Sequence, residues 1–140
     1  MYRPVPLLAA MLIGLFLSAC ASRATTPEDA EKALVERAQN RWDTLLAGDY
    51  EGAYAYYSPG YRSTTSVIDF AIGIRMRRVR WTTADYKAHS CTENTCTIKF
   101  DVGFSVDRPV PGMDKYESSS MIEDQWVKTE GQWWYLPKKK

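Results

Sequence analysis

The sequence predicts an α+β domain in which three helices precede a four-stranded antiparallel sheet. Apolar residues recur every three or four positions up to about residue 75 and alternate every second position after residue 78. A chain of 140 residues with 45% hydrophobic residues has the size and composition of one folded domain. The formal net charge of +1 argues against nucleic acid as a partner, because binding to phosphates needs a marked excess of Lys and Arg.

Residues 1–19 have the features of a secretory signal peptide. Arg3 gives a positive start, residues 5–17 are mainly apolar, and small residues precede Cys20. A helix of about 13 residues covers only about 20 Å of a hydrocarbon core roughly 30 Å thick. We therefore expect this segment to direct export and not to remain as a transmembrane span.

The end of this segment, Leu17-Ser18-Ala19-Cys20, resembles the lipobox of bacterial lipoproteins. The resemblance implies cleavage before Cys20, diacylation of its sulfur and acylation of its new amine; ordinary signal cleavage that leaves a free cysteine is the alternative. Several acyl chains anchor a protein stably. Ala21 follows the cysteine where Asp would imply retention in the inner membrane, so the resemblance implies an outer-membrane lipoprotein on the periplasmic face. Residues 20–26 would form its lipidated cysteine and short tether.

The helical half begins with a clear capping signal. Thr26 is the predicted N-cap, Pro27 occupies the first helical position, and Gly48 ends the first helix. Asp49 caps a shorter second helix that ends near residue 58, and a third helix is predicted over residues 65–75. The first helix carries an apolar stripe formed by Leu34, Val35, Ala38, Trp42, Leu45 and Leu46.

Four strands follow, at residues 79–90, 98–106, 116–128 and 132–136. The second has the cleanest alternation of apolar and polar residues, which predicts one buried face. Short connections, including Glu130-Gly131, favour hairpins. We expect an antiparallel meander with the helices on one face.

Two cysteines remain if Cys20 is lipidated. Cys91 and Cys96 are separated by four residues, with strand-like residues on both sides. We expect a disulfide across the mouth of a hairpin, which would stabilise the fold by about 2 kcal/mol in an oxidising compartment. A redox or metal-binding pair is the alternative, but it needs a CxxC spacing or further His and Cys ligands.

Three features together resemble the NTF2-like (cystatin-like) superfamily: the amphipathic first helix, the segment Ser58-Pro59-Gly60-Tyr61-Arg62, and the last hairpin, EDQWVKTEGQWWYLP, at residues 123–137. More narrowly, the chain is similar to uncharacterised single-domain NTF2-like lipoproteins of Gram-negative bacteria. The resemblance implies a cone over residues 27–137, with three helices packed on a curved sheet around a cavity. Residues 138–140 form a basic tail.

The resemblance also implies candidate catalytic residues. Superfamily enzymes of the ketosteroid isomerase or dehydratase kind use an Asp or His base with Tyr or carboxylic acid donors. Asp69 is the candidate base here, with Tyr57 or Tyr61 as the donor, although helical spacing favours a solvated Asp69. His89 is the single histidine, so no His-based metal cluster is available. We expect neither a metal nor a cofactor. An inward carboxylate with a raised pKa opposite a tyrosine would favour catalysis.

Aromatic residues offer a binding surface instead. Five tyrosines lie within residues 50–61 and cannot all face one core. We expect Tyr54, Tyr57, Tyr61 and Trp126 to contact a ligand or partner; packing in the core is the alternative.

Arg75, Arg77 and Arg78, with Arg80 nearby, form a basic patch. These guanidinium groups are predicted to contact lipid phosphates or an acidic partner protein. Solvated charges paired with Asp and Glu are the alternative.

The function predicted from the sequence is that of a non-catalytic envelope lipoprotein. It would be held at the membrane by its lipid anchor and bind a partner protein or a small apolar ligand. An isomerase, dehydratase or hydrolase acting in the cavity is the second possibility, and a homodimer paired through open sheet faces is the third.

Overall fold

A computed structural model describes residues 26–138 of the chain. The expected signal peptide, Cys20, residues 21–25 of the tether and the last two lysines lie outside the described residues. Within residues 26–138, no helix has the length and apolar character needed to cross a membrane.

Four helices form the first half of the domain: α1 (Pro27–Leu46), α2 (Tyr50–Tyr54), α3 (Pro59–Arg62) and α4 (Val67–Arg75). The predicted caps of the first two are present, because the Thr26 side chain accepts a hydrogen bond from Asp29 N and Asp49 accepts one from Gly52 N.

The one-turn helix α3 corrects the prediction of three helices. Ser58 and Pro59 were expected only to end the second helix. Instead, the Ser58 side chain accepts a hydrogen bond from Tyr61 N, and Pro59 takes the first helical position. Proline has no backbone N–H, and the first position of a helix does not need one. Ser58 and Pro59 therefore follow α2 and also start α3.

The sheet is an open antiparallel meander in the order β1 (Val79–Cys91), β2 (Thr95–Asp107), β3 (Lys115–Thr129) and β4 (Gln132–Leu136). This confirms the predicted strand order, with the first three strands extended by one to three residues at their ends. Two register shifts in β1 interrupt its pairing with β2, and such irregularities bend a strand and increase its twist. The α+β class is therefore confirmed.

The predicted cysteine pair closes the first hairpin. Cys91 and Cys96 are register partners at the ends of β1 and β2, and their sulfurs are bonded. The bond lies next to the core, because Cys96 is buried while Cys91 is half-buried.

The core lies between α1 and one face of the sheet. Alternate residues of β2 point towards the helix, and Ile98, Phe100 and Val102 are at most 1% exposed. They face the predicted apolar stripe of α1, where Ala38 and Trp42 are 0% and 2% exposed. Burying one face of each element in this way removes apolar surface from water and fixes α1 over the sheet.

Candidate functional site

An aromatic pocket opens between the helices and the sheet, with a volume of about 740 Å³. This volume is within the range of small-molecule sites, roughly 300–1,000 Å³. Six aromatic side chains line it: Trp42, Tyr57, Tyr61, Phe70, Trp81 and Tyr135. Arg41, Asp69, Arg77, Glu123 and Lys138 add charge to the lining.

A short backbone connection brings the tyrosines of this pocket together. Tyr57 forms an isolated parallel bridge with Tyr135, in which Ser58 N donates to Tyr135 O at 2.9 Å and Tyr135 N donates to Tyr56 O at 2.8 Å. The two rings meet edge to face with centroids 4.8 Å apart. The segment after α2 is thereby fixed against β4, so the aromatic wall is built before any ligand binds.

A buried ion pair lies behind this wall. Arg41 Nη1 donates to Asp124 Oδ2 at 3.0 Å, and Trp42 Nε1 donates to the same oxygen at 2.9 Å. The side chains of Arg41 and Asp124 are 3% and 0% exposed. Among residues 26–138, Asp124 Oδ1 and Arg41 Nε have no hydrogen-bond partner, and an unpaired buried polar atom is costly.

Arg41 is also enclosed by aromatic rings. Its guanidinium carbon lies 3.5 Å from the centroid of the Tyr135 ring, and its Nη2 donates to the Tyr57 hydroxyl at 3.2 Å. A desolvated cation over an aromatic face gains about 2 kcal/mol. This contact keeps a charged group within the aromatic wall of the pocket.

Burial sets the titration of these groups. Desolvation raises the pKa of Asp124 above its ordinary value, although the charge of Arg41 and the hydrogen bond from Trp42 oppose the shift. Desolvation works against the charge of Arg41, but its interactions with Tyr57 and Asp124 leave its pKa raised. Burial likewise raises the pKa of Tyr61 and of Tyr135. Tyrosine is protonated at neutral pH even at its ordinary pKa of about 10, so both hydroxyls are able to donate hydrogen bonds.

The structure places all three catalytic candidates in the lining of this pocket, but Asp69 is exposed. Its carboxylate accepts a hydrogen bond from Ser66 Oγ at 2.7 Å, and its backbone N donates to Ser66 Oγ at 3.1 Å. Ser66 is therefore the N-cap of α4, and Asp69 lies in the first turn of the helix, hydrogen-bonded to this cap. Tyr57 and Tyr61 stack on one another with centroids 4.9 Å apart.

Two of the predicted binding residues lie away from the lining. The Tyr54 hydroxyl donates to Thr65 O at 2.6 Å and so ties α2 to the segment before α4. Trp126 is 1% exposed and belongs to the core. The interpretation of Trp126 as a contact for a ligand or partner is therefore wrong, because its strand position points inwards beside Asp124 and not outwards.

His89 lies outside the aromatic pocket. Its Nε2 is 3.1 Å from Glu31 Oε2, and its Nδ1 is 2.7 Å from the Tyr86 hydroxyl. Ligand atoms of Glu31, His89 and Cys91 come within 4.8 Å of one another. The Cys91 sulfur is bonded to Cys96, so it is not available as a thiolate ligand.

Only part of the predicted basic patch lines a second, smaller cleft. Arg75 and Arg77 line this cleft together with Arg80, whereas Arg78 is not part of the lining; all four residues are exposed.

Sequence reasoning missed the central residues Arg41 and Asp124. A signal for each was present. Arg41 interrupts the apolar stripe of α1 beside Trp42, and Asp124 shares strand parity with Ile122 and Trp126. A charged residue at a buried position of an element needs a partner inside the protein, although its position does not identify that partner.

The fold and the pocket together define an α+β domain with an open four-stranded sheet and an aromatic binding cavity. No family model and no curated protein matches the chain. Among solved structures, it is similar to a SEC-C motif containing protein from Rhodopseudomonas palustris, with 15% identity, a TM-score of 0.52 and coverage of 69% of this chain and 70% of that one. A protein of unknown function from Mycobacterium tuberculosis gives 17% identity, a TM-score of 0.49 and coverage of 80% and 73%. The first similarity supports the fold alone.

Proposed function

We propose that this protein is a non-catalytic envelope lipoprotein that binds a small, largely apolar ligand in the aromatic pocket. The observation that carries the proposal is the ring-lined cavity of about 740 Å³, with the Arg41 guanidinium in its wall. The helices packed on one face of a four-stranded sheet also support the narrower assignment as an NTF2-like cone. The lipobox resemblance at Cys20 supports attachment to the periplasmic face of the outer membrane.

The lining favours a ligand with a planar apolar body. Tyr57 contacts both Tyr61 and Phe70, with ring centroids 4.9 and 4.8 Å apart, so neighbouring rings offer faces and edges to a bound ring. The charges at the rim are mixed, because Arg77 and Lys138 accompany Asp69 and Glu123. Aromatic contacts would therefore supply most of the affinity, at about 0.5–1.5 kcal/mol for each good ring pair beyond the burial of area.

Gly73 offers a way to fill the pocket without disturbing its wall. It lies in α4 and in the lining, and a Cβ added there would meet no atom within 4 Å. We expect Gly73→Phe to occupy the space of a bound ring and to fold normally, since glycine is a poor helix residue. Losing two aromatic contacts corresponds to roughly tenfold weaker binding.

The probe is anilinonaphthalene sulfonate, whose fluorescence rises in apolar surroundings. The wild-type chain should bind it saturably, and Gly73→Phe should weaken binding about tenfold. Gly60→Phe is the matched control, because Gly60 is equally open but lies outside the lining. Absence of saturable binding, or equal weakening by both substitutions, contradicts the ligand-binding proposal.

The membrane part of the proposal has its own test. Mass spectrometry of the mature protein should find an amino terminus at Cys20 carrying diacylglycerol and an amide-linked fatty acid. Cys20→Ala should lose these groups and leave the outer-membrane fraction. An intact leader, or an unmodified thiol at Cys20 in the wild type, contradicts the lipoprotein assignment.

One observation favours catalysis as a second candidate function. Asp124 is an inward carboxylate with a pKa raised by burial, and Arg41 connects it to the Tyr57 hydroxyl. Asp124 itself is absent from the pocket lining. Catalysis by Asp124 would therefore require Arg41 to move and open the pocket wall. Small molecules recovered from the wild type and from Asp124→Asn distinguish the functions. If the protein is an enzyme, the wild type should yield product and Asp124→Asn should yield substrate. A binding protein should yield the same molecule from both.

A further inference from the structure

The arginine cleft lies where the end of α1, the end of α4 and the start of β1 meet. Its volume is about 450 Å³, and its lining includes Tyr50, Arg75, Arg77, Arg80 and Trp81. Three arginine residues therefore line one concave space. Among residues 26–138, no Asp or Glu is part of this lining, so the local field favours an anion.

Two of the arginines are held in place by aromatic rings. The guanidinium carbon of Arg75 lies 5.3 Å from the centroid of Tyr50, and that of Arg77 lies 5.0 Å from the centroid of Trp81. Stacking leaves the N–H groups at the edge of each guanidinium plane free to donate. Less side-chain freedom is then lost when an anion binds.

The third arginine, Arg80, forms only a weak ion pair that would compete with a bound anion. Arg80 Nε is 3.9 Å from Asp107 Oδ2, and the two side chains are 76% and 62% exposed. An exposed pair at this distance contributes little to stability. Arg80 can therefore turn from Asp107 to a bound anion at small cost.

We propose that the arginine cleft binds a phosphate group. Tetrahedral phosphate presents several oxygens that match the paired N–H donors of guanidinium, and charge-assisted hydrogen bonds of this kind are stronger than neutral ones. The phosphate belongs to a soluble ligand or to a lipid headgroup. The cleft shares a wall with the aromatic pocket, but this proposal does not depend on the ligand function proposed for that pocket.

The position of the cleft along α1 affects whether a phosphate of the bilayer can reach it. The cleft includes Leu45 and Leu46, at the opposite end of α1 from Thr26. Twenty helical residues span about 30 Å at a rise of about 1.5 Å each. A helix standing upright from a lipid-anchored tether holds the cleft away from the bilayer, whereas a helix lying flat brings it to the headgroups.

The test titrates the full chain, in phosphatidylcholine vesicles at low ionic strength, with inorganic phosphate and with phenyl phosphate by calorimetry. Either Arg75→Gln or Arg80→Gln should weaken binding about tenfold. Arg78→Gln should leave it unchanged, since Arg78 is outside the lining. Asp107→Asn should strengthen binding, because it removes the competing carboxylate of Arg80.

A second arm identifies the source. Phosphatidylglycerol is added to the vesicles, and the shift in tryptophan emission that it causes is compared with that of the Arg75→Gln/Arg80→Gln chain. Saturable binding of the soluble phosphates assigns the cleft to a free ligand; an arginine-dependent response to phosphatidylglycerol alone assigns it to a headgroup. Absence of both responses, or equal loss in Arg78→Gln, overturns the proposal. Circular dichroism confirms that each variant is folded.

Discussion

Replacement of Arg41 by Met tests the buried ion pair behind the aromatic pocket. Met keeps the apolar stem against Tyr135 but removes the charge that faces Asp124, leaving a carboxylate that is 0% exposed with one donor, Trp42 Nε1. Removing one member of a buried pair costs about 3–5 kcal/mol. For a domain of this size, that corresponds to a fall in Tm of about 12–20 °C.

The loss should depend on pH with a definite sign. Burial already raises the pKa of Asp124, and the charge of Arg41 opposes that shift. In Arg41→Met the opposition is gone, so the pKa in the folded state moves further above the unfolded value of about 3.9. The stability given by the protonated form is complete below the unfolded pKa and is lost as pH rises through the folded one. The deficit relative to wild type is therefore larger at pH 7 than at pH 4.

Urea unfolding, followed by tryptophan fluorescence at both pH values, measures the deficit. Arg41→Met/Asp124→Asn should be more stable at pH 7 than Arg41→Met, since the orphaned charge is removed while Trp42 keeps an acceptor. Lys99→Gln is the control, because the Lys99–Glu123 pair is exposed and its loss should cost less than about 1 kcal/mol. A deficit for Arg41→Met no larger than that of the control, or one independent of pH, refutes the reasoning.

Three further predictions concern stability and use the same unfolding assay. Cys91→Ser/Cys96→Ser should lose about 2 kcal/mol, as expected for a short closed loop; wild type with added reductant should match it, and an unchanged midpoint contradicts the estimate. Phe100→Ala should lose about 3–5 kcal/mol, since Phe100 is 0% exposed and its removal leaves a cavity. Gly131→Ala should lose about 1–2 kcal/mol, because Gly131 has a φ of 77° in the last hairpin turn; a neutral result would mean that the turn adopts another conformation.

The elements whose amphipathic pattern spans many residues were predictable. α1 and β2 each bury a single face, and their periods of 3.6 and 2 residues identify them without knowledge of any partner. The helix α3 has four residues, which is too short for a period to be recognised. Its signal lay in Ser58 and Pro59, whose capping role and helix-ending role look the same in a sequence.

The buried pair was not predictable in the same way. Arg41 and Asp124 are 83 residues apart in the chain, and the position of each on its own element indicates burial without identifying a partner. Their contact depends on how α1 lies over the sheet, where Trp42 packs against Trp81 of β1 and Phe100 of β2. Packing of this kind follows from the whole core and not from local spacing.

The arginine cleft was also not fully predictable, because it lies at the boundary between α4 and β1. The helical period ends at Arg75 and the strand period begins at Val79. Closeness in the sequence grouped Arg78 with Arg75 and Arg77. Because β1 includes Arg80 and begins after Arg78, the direction of these last two side chains depends on where the period changes. The predicted end of the helix at residue 75 and start of the strand at residue 79 agree with the structure, but the directions of side chains in the connecting segment do not follow from either period.

Arg77 provides a final test, because it belongs to both cavities. Together with Ile74 and Trp81, it forms the wall shared by the aromatic pocket and the arginine cleft. Arg77→Gln removes a guanidinium from the cleft and also removes the cation stacked on Trp81.

The expected pattern across three variants is specific. Arg77→Gln should weaken binding of both phosphate and anilinonaphthalene sulfonate, Arg75→Gln should weaken phosphate binding alone, and Gly73→Phe should weaken the dye alone. Each loss of affinity is expected to be about tenfold for the cavity concerned. If Gly73→Phe weakened phosphate binding as strongly as Arg75→Gln, the two cavities would act as one site. If Arg77→Gln changed neither affinity, Arg77 would be a solvated charge and the shared wall would have no part in binding.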